Sequence, residues 1–108
     1  MPHYVLDTGV LIRHLRGQRR TVQSLRGLGR LGRLGVASIT RLELHAGMLP
    51  EERFATQKLL ARFVCFDLDR ETADRAGDLV RESRARGKPL GVPDAIIAAT
   101  AIRHGMTL

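Results

Sequence analysis

Residues 4–12 of the chain read YVLDTGVLI, and this stretch does most to indicate the fold. Its first residues are β-prone, and Asp7, Thr8 and Gly9 have the chemistry of a turn. The apolar run that follows predicts a short helix ending at about Leu15. A strand that passes directly into a helix is typical of the first unit of a parallel α/β sheet.

The rest of the chain alternates in the same way. Further strands are predicted at residues 35–38 and 64–68, with the opening of a fourth at 106–108. Helices are predicted at residues 21–34, 40–47, 50–63, 71–86 and from Pro93 to Gly105. This order predicts one domain with a three-layer α/β/α architecture and a central parallel sheet.

The charge of the chain indicates the class of its partner. Among its 108 residues, 18 Lys and Arg against 11 Asp and Glu give a formal net charge of +7, and almost all the basic residues are arginine. Because arginine forks match phosphate oxygens, nucleic acid is the leading candidate partner. The alternative is a soluble surface that is rich in arginine because of the genome's base composition.

Other features of composition bear on location. Cys65 is the only cysteine and lies in the apolar run FVCF, so we expect it in the core and expect no disulfide framework, which favours a reducing cytoplasm. Asp7 interrupts the first apolar run, so no signal peptide is expected. No stretch approaches the roughly 18–20 apolar residues that span a bilayer.

Three acids lie at junctions of strands and helices: Asp7, Glu43 and Asp94. The carboxyl ends of parallel strands meet at one edge of a sheet, so acids far apart in sequence can converge there. Converging carboxylates repel one another unless a cation lies among them, and oxygen ligands suit Mg²⁺ or Mn²⁺. The three acids are therefore candidate metal ligands and catalytic residues.

Each acid also has a purely structural alternative. Asp7 can cap the first helix, although Thr8 can take that role and leave Asp7 free. Glu43 fits a capping box in which it accepts from the Thr40 amide. Asp94 lies in a first helical turn, where an acid is favoured by the helix dipole.

Other candidate sites have weaker support. Asp69 is expected to cap a helix, and Asp67 has a small chance of lining the site. The four histidines show no paired ligand spacing, so a zinc site is not expected. The glycines at 27, 29 and 32 match a dinucleotide-binding pattern, but they do not follow a strand and open a helix as that motif requires.

Three segments together resemble PIN-domain nucleases, and in order and spacing they resemble the VapC-like toxins of bacterial toxin–antitoxin pairs. They are residues 4–12, then SITRLEL at 38–44, and PDAIIAATA at 93–101, which is the most specific of the three. The resemblance extends from residue 4 to residue 108.

This resemblance implies a magnesium-dependent endoribonuclease that cuts structured RNA, forms a homodimer and is silenced by a cognate antitoxin. Matched by position, Asp7, Glu43 and Asp94 would bind the metal, and Thr8 and Thr40 match small hydroxyl positions beside them. The family continues beyond its fourth strand to a further acid and a final strand, whereas this sequence ends at Leu108. We therefore expect a single PIN-like domain over residues 1–108 that lacks its last strand.

Two other functions fit part of the pattern. A catalytically impaired PIN-like module would bind only an antitoxin or RNA. A phosphoacceptor domain of the receiver type also gathers acids at a sheet edge, but it needs an acidic pair near its first strand, and Asp7 has no acidic neighbour there.

Overall fold

Three parallel strands form the central sheet: β1 (Pro2–Leu6), β2 (Arg33–Ala37) and β3 (Val64–Phe66), with β2 in the middle. The computed structural model describes residues 2–17, 26 and 33–108. On the side of β1 away from β2, the Val5 N–H donates to the Thr107 carbonyl at 2.8 Å, and Tyr4 forms a parallel bridge with Thr107. The expected opening of a fourth strand is present as this one bridge.

Helices connect the strands and cover the sheet. Those that the structure describes are α1 (Thr8–Leu15), α2 (Ser38–Gly47), α3 (Arg53–Leu60), α4 (Arg70–Ala85) and α5 (Val92–Arg103), with a 3₁₀ helix at Pro50–Glu52. Within the described ranges, none of these helices has both the length and the hydropathy needed to cross a membrane.

The core is divided between the two faces of the sheet, because neighbouring residues of a strand point in opposite directions. On one face, Leu6 and Val36 pack against side chains of α1, α2 and α3. On the other face, Val5 and Ala37 pack against Ile97 and Ala101 of α5, and α4 packs on α5. The predicted α/β/α fold with a parallel sheet is therefore confirmed.

Several predicted boundaries were wrong. Most of the helix predicted at 21–34 lies outside the described residues, but its end is strand, because Leu34 pairs with Tyr4 in the sheet. The helix predicted at 40–47 begins at Ser38. The helix predicted at 50–63 begins as a 3₁₀ turn and its α-helical part ends at Leu60, after which the Arg62 and Phe63 N–H groups bond three residues back.

The prediction that Cys65 is a core residue was also wrong, because its side chain is exposed. Alternation along β3 places Val64 and Phe66 on the partly buried face and Cys65 on the other. The apolar run around it therefore reflects one buried face of an edge strand and not a strand buried on both faces.

Candidate active site

The carboxyl edge of the sheet gathers the first residues of three helices. α1 starts two residues after β1 ends, and α2 follows β2 without a break. β1 and β2 are parallel, with Leu6 opposite Val36, so both helices begin at the same edge. The N-terminus of α5 also lies there, since Ile97 packs against Val5 and Ala37 at these strand ends and Asp94 precedes Ile97 by one turn.

Asp7 lies in extended backbone between β1 and α1 and is the N-cap of that helix. Its Oδ1 accepts a hydrogen bond from the Val10 N–H at 2.8 Å. The alternative in which Thr8 caps the helix and leaves Asp7 free was therefore wrong. The side chain is exposed, and the cap engages one carboxylate oxygen, so the second remains available to a ligand.

Glu43 is joined to α1 through Thr8. The Thr8 hydroxyl donates to Glu43 Oε1 at 2.7 Å, and Thr8 Oγ1 also lies 3.2 Å from Thr40 Oγ1. A hydroxyl has one proton, so Thr40 is the donor to Thr8 when Thr8 donates to Glu43. Thr40 is fully buried, and this chain of hydroxyls fixes the carboxylate of α2 beside the N-terminus of α1.

The capping box expected at Thr40 and Glu43 was wrong. α2 begins at Ser38, its N-cap Ala37 has no side-chain capping bond, and Glu43 lies in the second helical turn, beyond reach of the free N–H groups. Its carboxylate has no role in capping its own helix.

Asp94 is the third residue of α5, and its side chain is exposed. The N-cap of this helix, Gly91, provides no side-chain bond. A Cβ added at Gly91 would lie 3.9 Å from Asp94 Oδ2, so the glycine leaves space beside the carboxylate. As predicted, Asp94 lies in the first turn of its helix, where the helix dipole favours an acid. In this position both carboxylate oxygens are accessible from solvent.

Arg13 is a further residue near the site that the sequence analysis did not single out. Its Nη1 lies 3.3 Å from the position of a Cβ added at Gly9, and Asp7 Oδ1 lies 3.6 Å from the same position. The guanidinium therefore folds back over Gly9 towards Asp7. The sequence feature that indicates this contact is the spacing of four residues between Gly9 and Arg13, which places both on one face of α1.

The chemistry of the three acids fits a hard divalent cation, because all their donor atoms are carboxylate oxygens. Their spacing is not that of a closed ligand set: among residues 2–17, 26 and 33–108, no group of three or more His, Cys, Asp or Glu side chains is arranged to hold a metal ion. Glu43 is fixed by Thr8 and Asp7 by its capping bond to Val10, whereas Asp94 is an exposed side chain that can rotate.

The architecture agrees with comparisons of this chain with known proteins. The model of the PIN domain family matches residues 4–108, which is almost the whole chain. The chain belongs to the PIN-domain family. This PIN domain is 36% identical to ribonuclease VapC10 of Mycobacterium tuberculosis over 97 residues, covering 90% of this chain and 73% of that relative.

Two further relatives support the same family. The PIN domain is 26% identical to the tRNA(fMet)-specific endonuclease VapC of Shigella flexneri over 113 residues, covering all of this chain and 85% of the relative. Among solved structures, DNA-bound VapBC from Salmonella typhimurium matches with a TM-score of 0.84 and 26% identity, covering 98% of this chain and 83% of the other.

Proposed function

We propose that this PIN domain is a Mg²⁺-dependent endoribonuclease, the toxin of a toxin–antitoxin pair, with Asp7, Glu43 and Asp94 as metal-binding and catalytic residues. The observation that carries the proposal is the hydrogen bond from Thr8 to Glu43. It joins the β1–α1 junction to α2 and holds one carboxylate beside the exposed Asp7. Two relatives of this PIN domain are named a ribonuclease and an endonuclease, and these names support the reaction class.

The contacts of each acidic side chain determine its proposed role in binding the metal. Glu43, restrained by Thr8 and Thr40, provides the fixed carboxylate. Asp7 would offer the carboxylate oxygen that its capping bond leaves free, and the exposed Asp94 would provide the third carboxylate. When bound, Mg²⁺ supplies a Lewis acid that lowers the pKa of water and stabilises charge on the leaving oxygen. Mn²⁺ meets the same requirement with the same type of ligand.

Hydrolysis at such a site needs no protein nucleophile. A water molecule attacks the phosphorus in line and loses a proton to solvent, the bond from phosphorus to the 3′ oxygen breaks, and the leaving oxygen takes a proton from solvent. Arg13, which lies over Gly9 beside Asp7, is placed to neutralise a phosphate oxygen of the RNA. The net charge of +7 supports RNA binding as a whole.

An antitoxin is the proposed protein partner. Similar solved structures are described as a toxin–antitoxin complex from Klebsiella pneumoniae and as VapBC from Salmonella typhimurium. Beside Glu43 a groove of about 250 Å³ combines apolar side chains, two acids and one arginine, and its lining includes Ile12, Leu15, Leu44, Met48, Glu43, Glu52 and Arg16. Such a groove fits an apolar peptide segment that carries a basic residue for Glu43. A homodimer is proposed from the family resemblance.

The spacing of the acids favours a second candidate function. Because the described carboxylates are not arranged as a closed ligand set, a PIN domain that binds RNA or an antitoxin without cleaving RNA is also consistent with the structure. A pure binder is expected to show no stabilisation by Mg²⁺, whereas the free energy of unfolding of a metal-dependent nuclease rises with the logarithm of Mg²⁺ concentration above Kd.

Cleavage of a labelled structured RNA with and without Mg²⁺ tests the proposal. We expect the wild-type protein to cleave only with the metal, and Asp94→Asn to reduce the rate by about 100-fold or more, since it removes a ligand charge. Asp74→Asn is the matched control, because Asp74 is an exposed acid on α4 that is not among the proposed metal ligands.

The outcomes separate the two candidates. Equal cleavage by wild type and Asp94→Asn removes Asp94 from the mechanism. Binding of RNA by the wild-type protein with no cleavage at any Mg²⁺ concentration supports the second candidate. Purified antitoxin added to the same assay is expected to abolish cleavage.

A further inference from the structure

A second polar cleft lies at the other end of α1. It has a volume of about 310 Å³, comparable to about ten water molecules, and lies between the end of α1 and one face of α3. Its lining consists of His14, Leu15, Ala55, Lys58, Leu59 and Arg62. The four residues from α3 and the turn after it are spaced by three, one and three, which is one helical stripe.

The polar groups of this cleft are all basic. Its lining contains no carboxylate, and Lys58 and Arg62 form no ion pair with any residue in the described ranges. Both side chains belong to exposed residues, so neither is required to fill the core. Two cations and an imidazole around one concavity match the oxygens of a phosphate group.

His14 provides an independent sign of a missing partner. Its Nδ1 is buried and has no hydrogen-bond partner among the described residues. Buried polar atoms are nearly always satisfied, so this nitrogen needs a partner that the described residues do not supply. Burial, followed by the charges of Arg62 and Arg26, holds the pKa of His14 below its usual value, an effect that a bound anion would reverse.

We propose that the cleft of His14, Lys58 and Arg62 binds a backbone phosphate of RNA. The inference rests on the proposed RNA substrate and extends it by naming a second anchor. Six residues of α1 separate Thr8 from His14, about 9 Å along the helix. At about 3.4 Å of helix axis per nucleotide, the anchor lies two or three nucleotides from the phosphate at the acids.

Binding of a fluorescein-labelled oligouridylate, measured by anisotropy in EDTA, tests the anchor without cleavage. The double variant Lys58→Gln/Arg62→Gln is expected to weaken binding about tenfold at moderate salt. It should also lower the slope of log affinity against log salt by about 1.4, which corresponds to two lost phosphate contacts. The matched control is Arg81→Gln/Arg84→Gln on α4, which removes the same charge elsewhere.

The control variant distinguishes a specific phosphate site in the cleft from a general effect of positive charge on RNA binding. If both double variants weaken binding and lower the slope equally, the cleft is not a site and the proposal is overturned. Equal melting temperatures of the variants and wild type confirm that folding is unchanged. The binding assay contains no metal, so it does not depend on cleavage. If Asp94→Asn binds RNA but does not cleave it, the binding result for the cleft is unchanged. Each proposal can therefore fail without the other.

The imidazole gives a second readout. In an NMR titration, the pKa of His14 is expected to rise when the oligouridylate is added and to rise less in Lys58→Gln/Arg62→Gln. Inorganic phosphate alone in a parallel titration distinguishes a site for free phosphate from a site for the RNA backbone. An unchanged pKa of His14 at saturating RNA contradicts the proposal.

Discussion

At the scale of the residue, the hydroxyl of Thr8 is the most informative atom of the candidate site. It connects a fully buried hydroxyl, that of Thr40, to a carboxylate at the sheet edge. A buried hydroxyl anchored in the core positions Glu43 more firmly than an exposed partner can, because its own environment is rigid. Thr8 is thus a positioning residue for the proposed metal site.

Replacing Thr8 tests this positioning role. Thr8→Val keeps the shape of the side chain but leaves the Thr40 hydroxyl and Glu43 without their shared partner. We expect the free energy of unfolding in urea to fall by about 1–3 kcal/mol. RNA cleavage is also expected to fall, because Glu43 is no longer held at the edge.

The control for this change is Thr8→Ser, which keeps the hydroxyl and removes only a methyl group. It should retain most of the cleavage activity and fall between the wild type and Thr8→Val in stability. Cleavage by Thr8→Val equal to that of Thr8→Ser would contradict the positioning role, whatever the change in stability.

The three acids were recognised from the sequence because strand ends and helix starts determine where a carboxylate can lie. The hydrogen bond from Thr8 to Glu43 was not, because it depends on side chains brought together by folding. Thr8 and Thr40 are 32 residues apart, and no local pattern distinguishes a threonine that caps its helix from one that bonds across to α2. Resemblance to the family marked both hydroxyls, but not the bond between them.

At the scale of the element, a glycine in β2 allows the Phe66 ring of β3 to pack over that strand. A Cβ added at Gly35 would lie 2.8 Å from Phe66 Cε2 and 3.5 Å from the Tyr4 carbonyl. The Phe66 ring also stacks on His104, with centroids 4.3 Å apart, so the ring is restrained on a second side. The glycine lets the aromatic ring cover the middle strand.

Gly35→Ala is therefore expected to lower the free energy of unfolding by about 1–3 kcal/mol through overpacking. The matched control is Gly77→Ala in α4, where an added Cβ would meet nothing within 4 Å. That change should raise stability by about 0.5–1 kcal/mol, since alanine favours a helix interior. Both are measured by urea unfolding. Gly35→Ala at least as stable as wild type would rule out the close packing of Phe66 as the reason for the glycine.

The existence and order of the elements followed from the sequence more closely than their ends did. Apolar runs and helical spacing reveal strands and amphipathic helices, and the positive φ values of Gly87 and Gly105 agree with the stops predicted there. The exposure of Cys65 did not follow, because a three-residue apolar run does not reveal whether both faces of a strand are covered.

At the scale of the whole molecule, the two ends of α1 carry opposite chemistry. Acids gather where α1 begins, and the cleft of His14, Lys58 and Arg62 lies where it ends. An RNA strand laid along this helix would meet a site for cations at one end and a site for phosphate at the other. Complementary charge over a whole face also raises the rate of association with a polyanion.

The exposed apolar side chains are a second property of the whole molecule. Phe54 is 77% exposed and Leu49 57% exposed, and neither lines the groove beside Glu43. Phe54 is two positions from Thr56 on the same helix, which places the two side chains on different faces. Single exposed apolar residues are ordinary, so these two do not by themselves indicate an interface.

The most direct test of the central claim is diffraction at the manganese absorption edge from crystals of this protein soaked in Mn²⁺. The account predicts an anomalous peak at the carboxyl edge of the sheet, in contact with carboxylate oxygens of Asp7, Glu43 and Asp94, with Asp94 turned inward. An edge without such a peak at saturating Mn²⁺, with the three side chains still apart, would contradict it.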